Sequence, residues 1–351
     1  MKKFWEKLPR PFFCLAPMAD VTDAAFRRMF AKYGKPDVTW TEFVSADGLS
    51  SKGREVLKYD LLYSEKERPI VVQLFSSTPS KMREASKLCA DLGFDGIDIN
   101  MGCPDRSIEK QGAGAAMMKD EKKAGDIIAA VKDGIKDSKK KNAKNMSVSV
   151  KTRIGYNKNQ IKEWIPFLLS QDIDALTVHA RTRKEMSLVP ARWEHVKEVV
   201  EIRNKMGLKT KIIGNGDVKD LEHGYELAKE TGCDGIMVGR AVFGNPWFFA
   251  DLRRINSKFS QVLGRGRTRG QTSSKILINS TPIVKQKLKV LVEHTKLYEK
   301  LLGKVKNFAV MKKHYKAYVN GFDGAKELRV KLMDTNSAKE VENIIKEFLK
   351  N

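Results

Sequence analysis

Residues 70–100, IVVQLFSSTPSKMREASKLCADLGFDGIDIN, hold the reading that decides the fold. An apolar run (70–75) gives way to a polar turn. Then comes KMREASKLCADLG (81–93), with apolar residues at three- and four-residue intervals, and a second apolar run, GIDIN (96–100). Short runs suit buried strands and the spacing between them suits an amphipathic helix, so the segment predicts a strand–helix–strand unit. The theme extends in both directions. FFCLAPM (12–18) and VTWTEF (38–43) come before it; VSVKT (148–152), ALTVH (175–179), KIIGN (211–215) and GIMVG (235–239) come after, with another helix over AGDIIAAVKDGI (124–135). Eight such runs up to about residue 250 predict a closed (β/α)8 TIM barrel, and the strand count disfavours an open doubly wound sheet.

Barrels of this kind do their chemistry where strands hand over to the following helices. Those ends read Ala16-Pro17-Met18, Glu42, Gln73, Asn100 to Cys103, Lys151 to Arg153, His179 to Arg181, Asn215-Gly216-Asp217 and Gly239-Arg240. The last two, within IIGNGDV (212–218) and GIMVGRAVFGNPWFF (235–249), form a candidate phosphate site. Glycine lets backbone N–H groups approach an anion, and Arg240 adds a charged fork; Gly214, Gly216 and Gly239 are the candidates. QGAGAAM (111–117) fails as a dinucleotide fingerprint because the third glycine is missing and no strand leads into it. A mononucleotide fits better. Flavin mononucleotide (FMN) would use the phosphate loops, an amide such as Gln73 at its polar ring edge, and Lys151 to balance charge on the reduced ring.

Cys103, in a Gly-Cys-Pro turn, could serve as nucleophile, acid or core thiol. No Asp or Glu flanks His179 to suggest an activated Cys–His pair, so acid ranks above nucleophile. The four cysteines show no C-x-x-C and no His at ligand spacing, which argues against a metal site. The N-terminal MKKFWEKLPRPFF lacks the apolar core of a signal peptide, and no stretch approaches the length of a membrane span, so a cytoplasmic protein is expected.

After residue 250 the style changes. Residues 255–282 read as a flexible Gly/Arg-containing linker or loop between a catalytic domain (1–254) and a helical domain (283–351). Thr281-Pro282 looks like a helix start, Val284, Leu288, Leu291, Thr295, Tyr298 and Leu302 form one face, and Gly303 is a stop. Ser337 to Glu340 reads as a capping box ahead of Val341, Ile344, Ile345 and Phe348. The chain's net charge is +23, and its last 101 residues carry 23 Lys+Arg against 9 Asp+Glu. Such an excess suits a polyanion such as nucleic acid or an anionic membrane, or simply solubility.

Taken together, the motifs resemble the tRNA-dihydrouridine synthases. The matching stretches are APMADVTDAAFRRMF (16–30), TEFVSADGL (41–49), DINMGCPDRSIEKQGAGAAMM (98–118), VKTRIG (150–155), VHARTR (178–183), IIGNGDV (212–218) and CDGIMVGRAVFGNPWFF (233–249). MKKHYKAYVNGF (311–322) and ELRVKLM (327–333) are similar to the family's helical tail. The resemblance implies an FMN enzyme that takes electrons from NADPH or NADH and reduces the uridine C5–C6 double bond in tRNA. Carried over by position, Cys103 would protonate C5. Ala16, Pro17 and Met18 would pack the flavin ring, and Gln73, Lys151 and His179 would bind its polar groups. Asn215, Gly216, Asp217, Gly239 and Arg240 would surround its phosphate. Asn100, Arg181 and Arg183 are substrate candidates. The chain departs from the family at Lys184 to Pro190, where a glutamine and an aromatic-glycine stretch are usual. Two other readings compete: an FMN-dependent TIM-barrel reductase of a small metabolite, similar to dihydroorotate dehydrogenases or ene-reductases, and a non-catalytic RNA-binding protein on a decayed barrel.

Overall fold

The computed structural model describes residues 3–252 and 284–350. The expected linker at 255–282 and the Thr281-Pro282 helix start lie outside the described residues. Two compact units are present, Met1–Arg28 with Asp37–Ala241, and Met29–Pro36 with Val242–Asn351.

The first unit is a closed parallel barrel in sequence order. Its strands are β1 (Phe12–Leu15), β2 (Val38–Ser45), β3 (Ile70–Phe75), β4 (Gly96–Met101), β5 (Ser147–Arg153), β6 (Ala175–His179), β7 (Lys211–Asn215) and β8 (Gly235–Val238). The longer helices are α1 (Ala24–Tyr33), whose residues from Met29 on belong to the second unit, α2 (Pro79–Leu92), α3 (Glu121–Lys136), α4 (Ile161–Ser170), α5 (Glu194–Lys205) and α6 (Leu221–Thr231). Each forms for local reasons. In α2, for example, Pro79 sits in the first turn, Met82, Ala85, Cys89 and Ala90 are buried, and Gly93 ends the helix at φ +85°.

Because strand side chains alternate, each strand divides its residues between barrel interior and helix layer. The interior core holds Cys14, Ala16, Val38, Trp40, Val71, Ala175, Ile213 and Met237, joined by Trp5 from the 3-10 turn Phe4–Lys7. Trp5 Nε1 donates to Ser147 Oγ at 2.6 Å. On β4, Ile97 and Ile99 alternate with Asp98 and Asn100, and all four are buried. A buried ion pair secures the barrel wall: Arg27 Nε donates to Glu67 Oε2 at 2.8 Å with both side chains fully enclosed.

The second unit contains α7 (Val284–Leu302), α8 (Ala309–Tyr318), α9 (Ala325–Met333) and α10 (Ala338–Phe348). The expected face of α7 is buried at Leu288, Leu291, Thr295, Tyr298 and Leu302, and the helix stops before Gly303. Met311, Tyr315 and Tyr318 of α8, Leu328 and Leu332 of α9, and Val341 and Ile345 of α10 supply the other buried faces. Ser337 caps α10 by accepting from the Glu340 N–H, but the reciprocal arm differs from the expected box: Glu340 Oε2 accepts from Asn336 N–H, one residue earlier.

Candidate active site at the barrel mouth

Register brings the strand ends together. Asn100 of β4 lies beside Lys151 of β5, Arg153 beside His179 of β6, His179 beside Asn215 of β7, and Asn215 beside Met237 of β8. A cavity of about 450 Å³ opens there. It is lined by Ala16, Pro17 and Met18 after β1, by Lys151, His179 and Arg181, and by Asn215, Gly216, Asp217, Gly239 and Arg240 after β7 and β8. Ser187, Val218, Lys219, Met237 and Ala241 also line it; the sequence reading gave them no role. Gln73, Asn100, Cys103 and Arg183 are not in that lining.

A connected polar network holds three of these four. Gln73 Nε2 donates to Asp98 Oδ2 at 2.6 Å, while its Oε1 accepts from Asn100 Nδ2 at 3.0 Å. Asn100 Oδ1 in turn accepts the backbone N–H groups of Gly102 (3.1 Å) and Cys103 (2.9 Å). Cys103 packs beside Phe75, Ile108, Ala113 and Phe43. Burial pushes its thiol pKa up, against smaller opposing effects that include the charges of Lys151 and Arg153. Arg183 instead forms a two-pronged pair with Glu109 and lies over the Tyr156 ring.

Arg153 is the residue whose importance the sequence reading missed. Its guanidinium is buried, and it donates to three backbone carbonyls: Gly102 (2.8 Å), Thr182 (3.1 Å) and Met186 (3.0 Å). It thus ties the loop after β4 to the loop after β6. Burial, the largest effect, draws its pKa down to about 10. The available signal was alternation, since Arg153 and Lys151 are two residues apart on one strand and share a face.

The other side of the mouth centres on Asp217. Its carboxylate accepts from Arg181 Nη2, from Arg240 Nη2 at 2.7 Å and from the Ala191 N–H at 2.9 Å. Burial works against its charge, but these partners hold the carboxyl below its usual range. Arg181 Nη1 also donates to His179 Nε2 at 3.0 Å, which assigns the imidazole proton to Nδ1. Burial, then the charges of Arg153 and Lys151, push His179 well below its ordinary pKa, so it is neutral. Lys151 is drawn down to about 8, first by burial and then by Arg153. Asp98, fully buried, is raised to about 6 by that burial.

The glycines divide by role. A Cβ on Gly214 would meet the Trp193 ring at 2.2 Å, so this glycine makes room for an indole, and it is not among the residues that line the cavity. Gly216 has φ +127°, and a Cβ there would meet Ala191 Cβ at 2.7 Å. At Gly239 a Cβ would meet only Met18 Sδ and Ala16 Cβ, at 3.7 and 3.9 Å, so the β8 backbone is open to the cavity.

The family model described as dihydrouridine synthase (Dus) matches residues 14–351. This chain belongs to the dihydrouridine synthase family. Among its relatives, the "Probable tRNA-dihydrouridine synthase" of Staphylococcus aureus (strain COL) is 36% identical over 350 residues, covering 99% of this chain and 96% of its own. "Probable tRNA-dihydrouridine synthase 2" of Bacillus subtilis (strain 168) is 35% identical, with 99% and 97% covered. The family-model match runs from within β1 through the remaining barrel strands and the helices of the second unit. Among the described residues, no group of three or more His, Cys, Asp or Glu is arranged to hold a metal ion, and no helix is long and apolar enough to cross a membrane.

Proposed function

We propose that this dihydrouridine synthase reduces the C5–C6 double bond of uridines in cytoplasmic tRNA, using FMN and either NADPH or NADH. The family match over residues 14–351 carries the reading. The relatives' names supply tRNA as the substrate class. The small-metabolite alternative is not favoured, because nothing in it calls for so basic a tail.

The cavity supports FMN. Its volume falls within the roughly 300–1,000 Å³ of small-molecule sites. Its walls offer an apolar strip (Ala16, Pro17, Met18), a cation for an electron-rich ring edge (Lys151), and a phosphate corner at Gly216, Gly239 and Arg240. Neutral His179 offers an Nδ1–H donor. Reduced FMN would supply the hydride that forms the new C6–H bond of uracil.

Cys103 supplies the proton. Its S–H bond breaks as a C5–H bond forms, so C5 and C6 each gain one hydrogen, and a thiolate remains. Burial keeps the thiol protonated beforehand, while Lys151 and Arg153 stabilise the thiolate afterwards. Asn100 fixes the turn that carries the thiol, and Asp98 fixes Gln73 and through it Asn100. Exposed lysines of the helical unit hold tRNA phosphates.

The test is to incubate purified protein with FMN, NADPH and unmodified tRNA and map the modified positions. Flavin absorbance and new dihydrouridine are expected. A flavoprotein that reduces orotate or activated alkenes but leaves tRNA unchanged would overturn the assignment.

A further inference from the structure

We propose that Leu188 enters the tRNA base stack and fills the gap left when the target uridine swings into the barrel mouth. This rests on the function proposed above. Leu188 has 84% of its surface in solvent, the largest exposure of any big apolar side chain among the described residues. Nearby Met186 is 46% exposed and sits at φ +50°, a left-handed conformation that bulky residues seldom adopt. Water disfavours both exposures, so a contact that covers these side chains is favourable.

The loop that presents them is firmly tied down. Arg153 Nη1 holds the Met186 carbonyl and Arg181 Nε holds that of Val189 at 2.6 Å. Glu185 accepts from the Thr182 N–H at 2.8 Å and pairs with Arg192 at 2.8 Å, and its own carbonyl accepts from the Leu188 N–H at 2.9 Å. The apolar side chain is therefore carried on a braced turn whose anchors, Arg153 and Arg181, also belong to the mouth.

Location and charge identify the occupant. Ser187, the adjacent residue, lines the cavity. Lys184, Lys219 and Arg240 are exposed in the same set of loops. An apolar tip beside cations and next to a pocket for one base suits RNA: cations meet phosphates while the side chain slides between bases. A base can reach a barrel pocket only by leaving its stack, and an inserted side chain offsets the lost stacking.

The test compares wild type, L188A and L188F on a full tRNA transcript and on a single-stranded oligonucleotide carrying the same uridine. L188A should lower kcat/KM on tRNA about tenfold, the factor one lost leucine-sized contact represents. FMN content and flavin reduction by NADPH should stay unchanged. L188F should restore the rate, and the L188A defect should shrink on the oligonucleotide, whose base is already unstacked. L188A at wild-type kcat/KM on tRNA, equal loss in L188A and L188F, or the same defect on both substrates would each overturn the wedge. Wild-type protein that forms no dihydrouridine on any tRNA would instead overturn the reading of the activity, and the wedge with it.

Discussion

The side-chain oxygen of Asn100 accepts the backbone N–H of Cys103 at 2.9 Å, tying the proposed proton donor to the last turn of strand β4. Without that acceptor the Gly102-Cys103 turn loses two anchors, since Gly102 N–H donates to the same atom. N100A should therefore keep FMN and its reduction by NADPH but lose roughly a hundredfold in kcat, the scale of a displacement of about 1 Å at a reacting group. Rapid-mixing absorbance separates the two half-reactions. Slowed flavin reduction together with an intact dihydrouridine step would contradict this assignment.

Cys103 sets a pH dependence whose sign is fixed by its role. A general acid works while protonated, so dihydrouridine formation should be level at neutral pH and fall as pH rises through the thiol pKa. Burial displaces that pKa upward, so the fall should begin above the ordinary thiol value of about 8.5. C103S should be slow and lack this limb, because a hydroxyl does not titrate in the range. C103A should lose at least a hundredfold, the lower bound for removing a positioned acid, about 10²-fold. A wild-type profile that climbs with pH would show the thiolate to be the active form.

The eight strands and the strand-end polar groups were legible because both leave local marks: short apolar runs, helical spacing, and glycine or charge where each run ends. Arg153 and Asp98 were harder to weigh. Each belongs to a quoted run, yet its value comes from partners about 25 to 51 residues away, such as Gln73, Ser149 and Gly102. Gly214 shows the converse. A glycine two residues from another reads as an anion loop, and only the Trp193 ring packed against it reveals a packing role. The loop at 184–190 stands out in sequence only through the resemblance, and exposure of Leu188 is a three-dimensional property.

Asp98 makes a stability prediction. Its folded pKa of about 6 lies above the ordinary 3.8, so the folded state holds a proton that the unfolded state releases between those values. Stability should then fall as pH rises through that window. D98N keeps an acceptor for Gln73 Nε2 and gains a donor for Ser149 Oγ while removing the buried charge. Its melting temperature should lose this pH slope and exceed that of wild type at pH 7, by a free energy on the order of 2–3 kcal/mol. Parallel melting curves for the two proteins across the window would show that Asp98 does not titrate there.

The Arg27–Glu67 pair concerns the fold alone. Arg27 also donates to the Thr22 carbonyl at 2.7 Å, so both charges are enclosed and hydrogen-bonded. R27M should cost about 3–5 kcal/mol in urea unfolding because it leaves the buried Glu67 carboxylate with only the more distant Arg28, 3.8 Å away, as a cation, and R27M/E67M should recover most of the loss. A double variant as unstable as the single one would mean that packing around Arg27, rather than charge, is what matters.

Three lysines of helix α8 test how the basic tail is used. Lys313 and Lys316 are exposed and Lys312 is partly so, while Met311, His314, Tyr315 and Tyr318 of the same helix are buried, so the lysines can be changed without touching the core. Replacing all three by glutamine should weaken tRNA binding most at low salt, where released counterions contribute most. The slope of log affinity against log salt should flatten by about 0.9 for each duplex phosphate contact removed, hence by two to three units if all three lysines meet phosphates. FMN content should be unaltered, since the described residues that line the cavity all belong to the barrel unit. Titrations at several salt concentrations decide the matter: parallel lines for wild type and variant would move the phosphate contacts elsewhere in the chain.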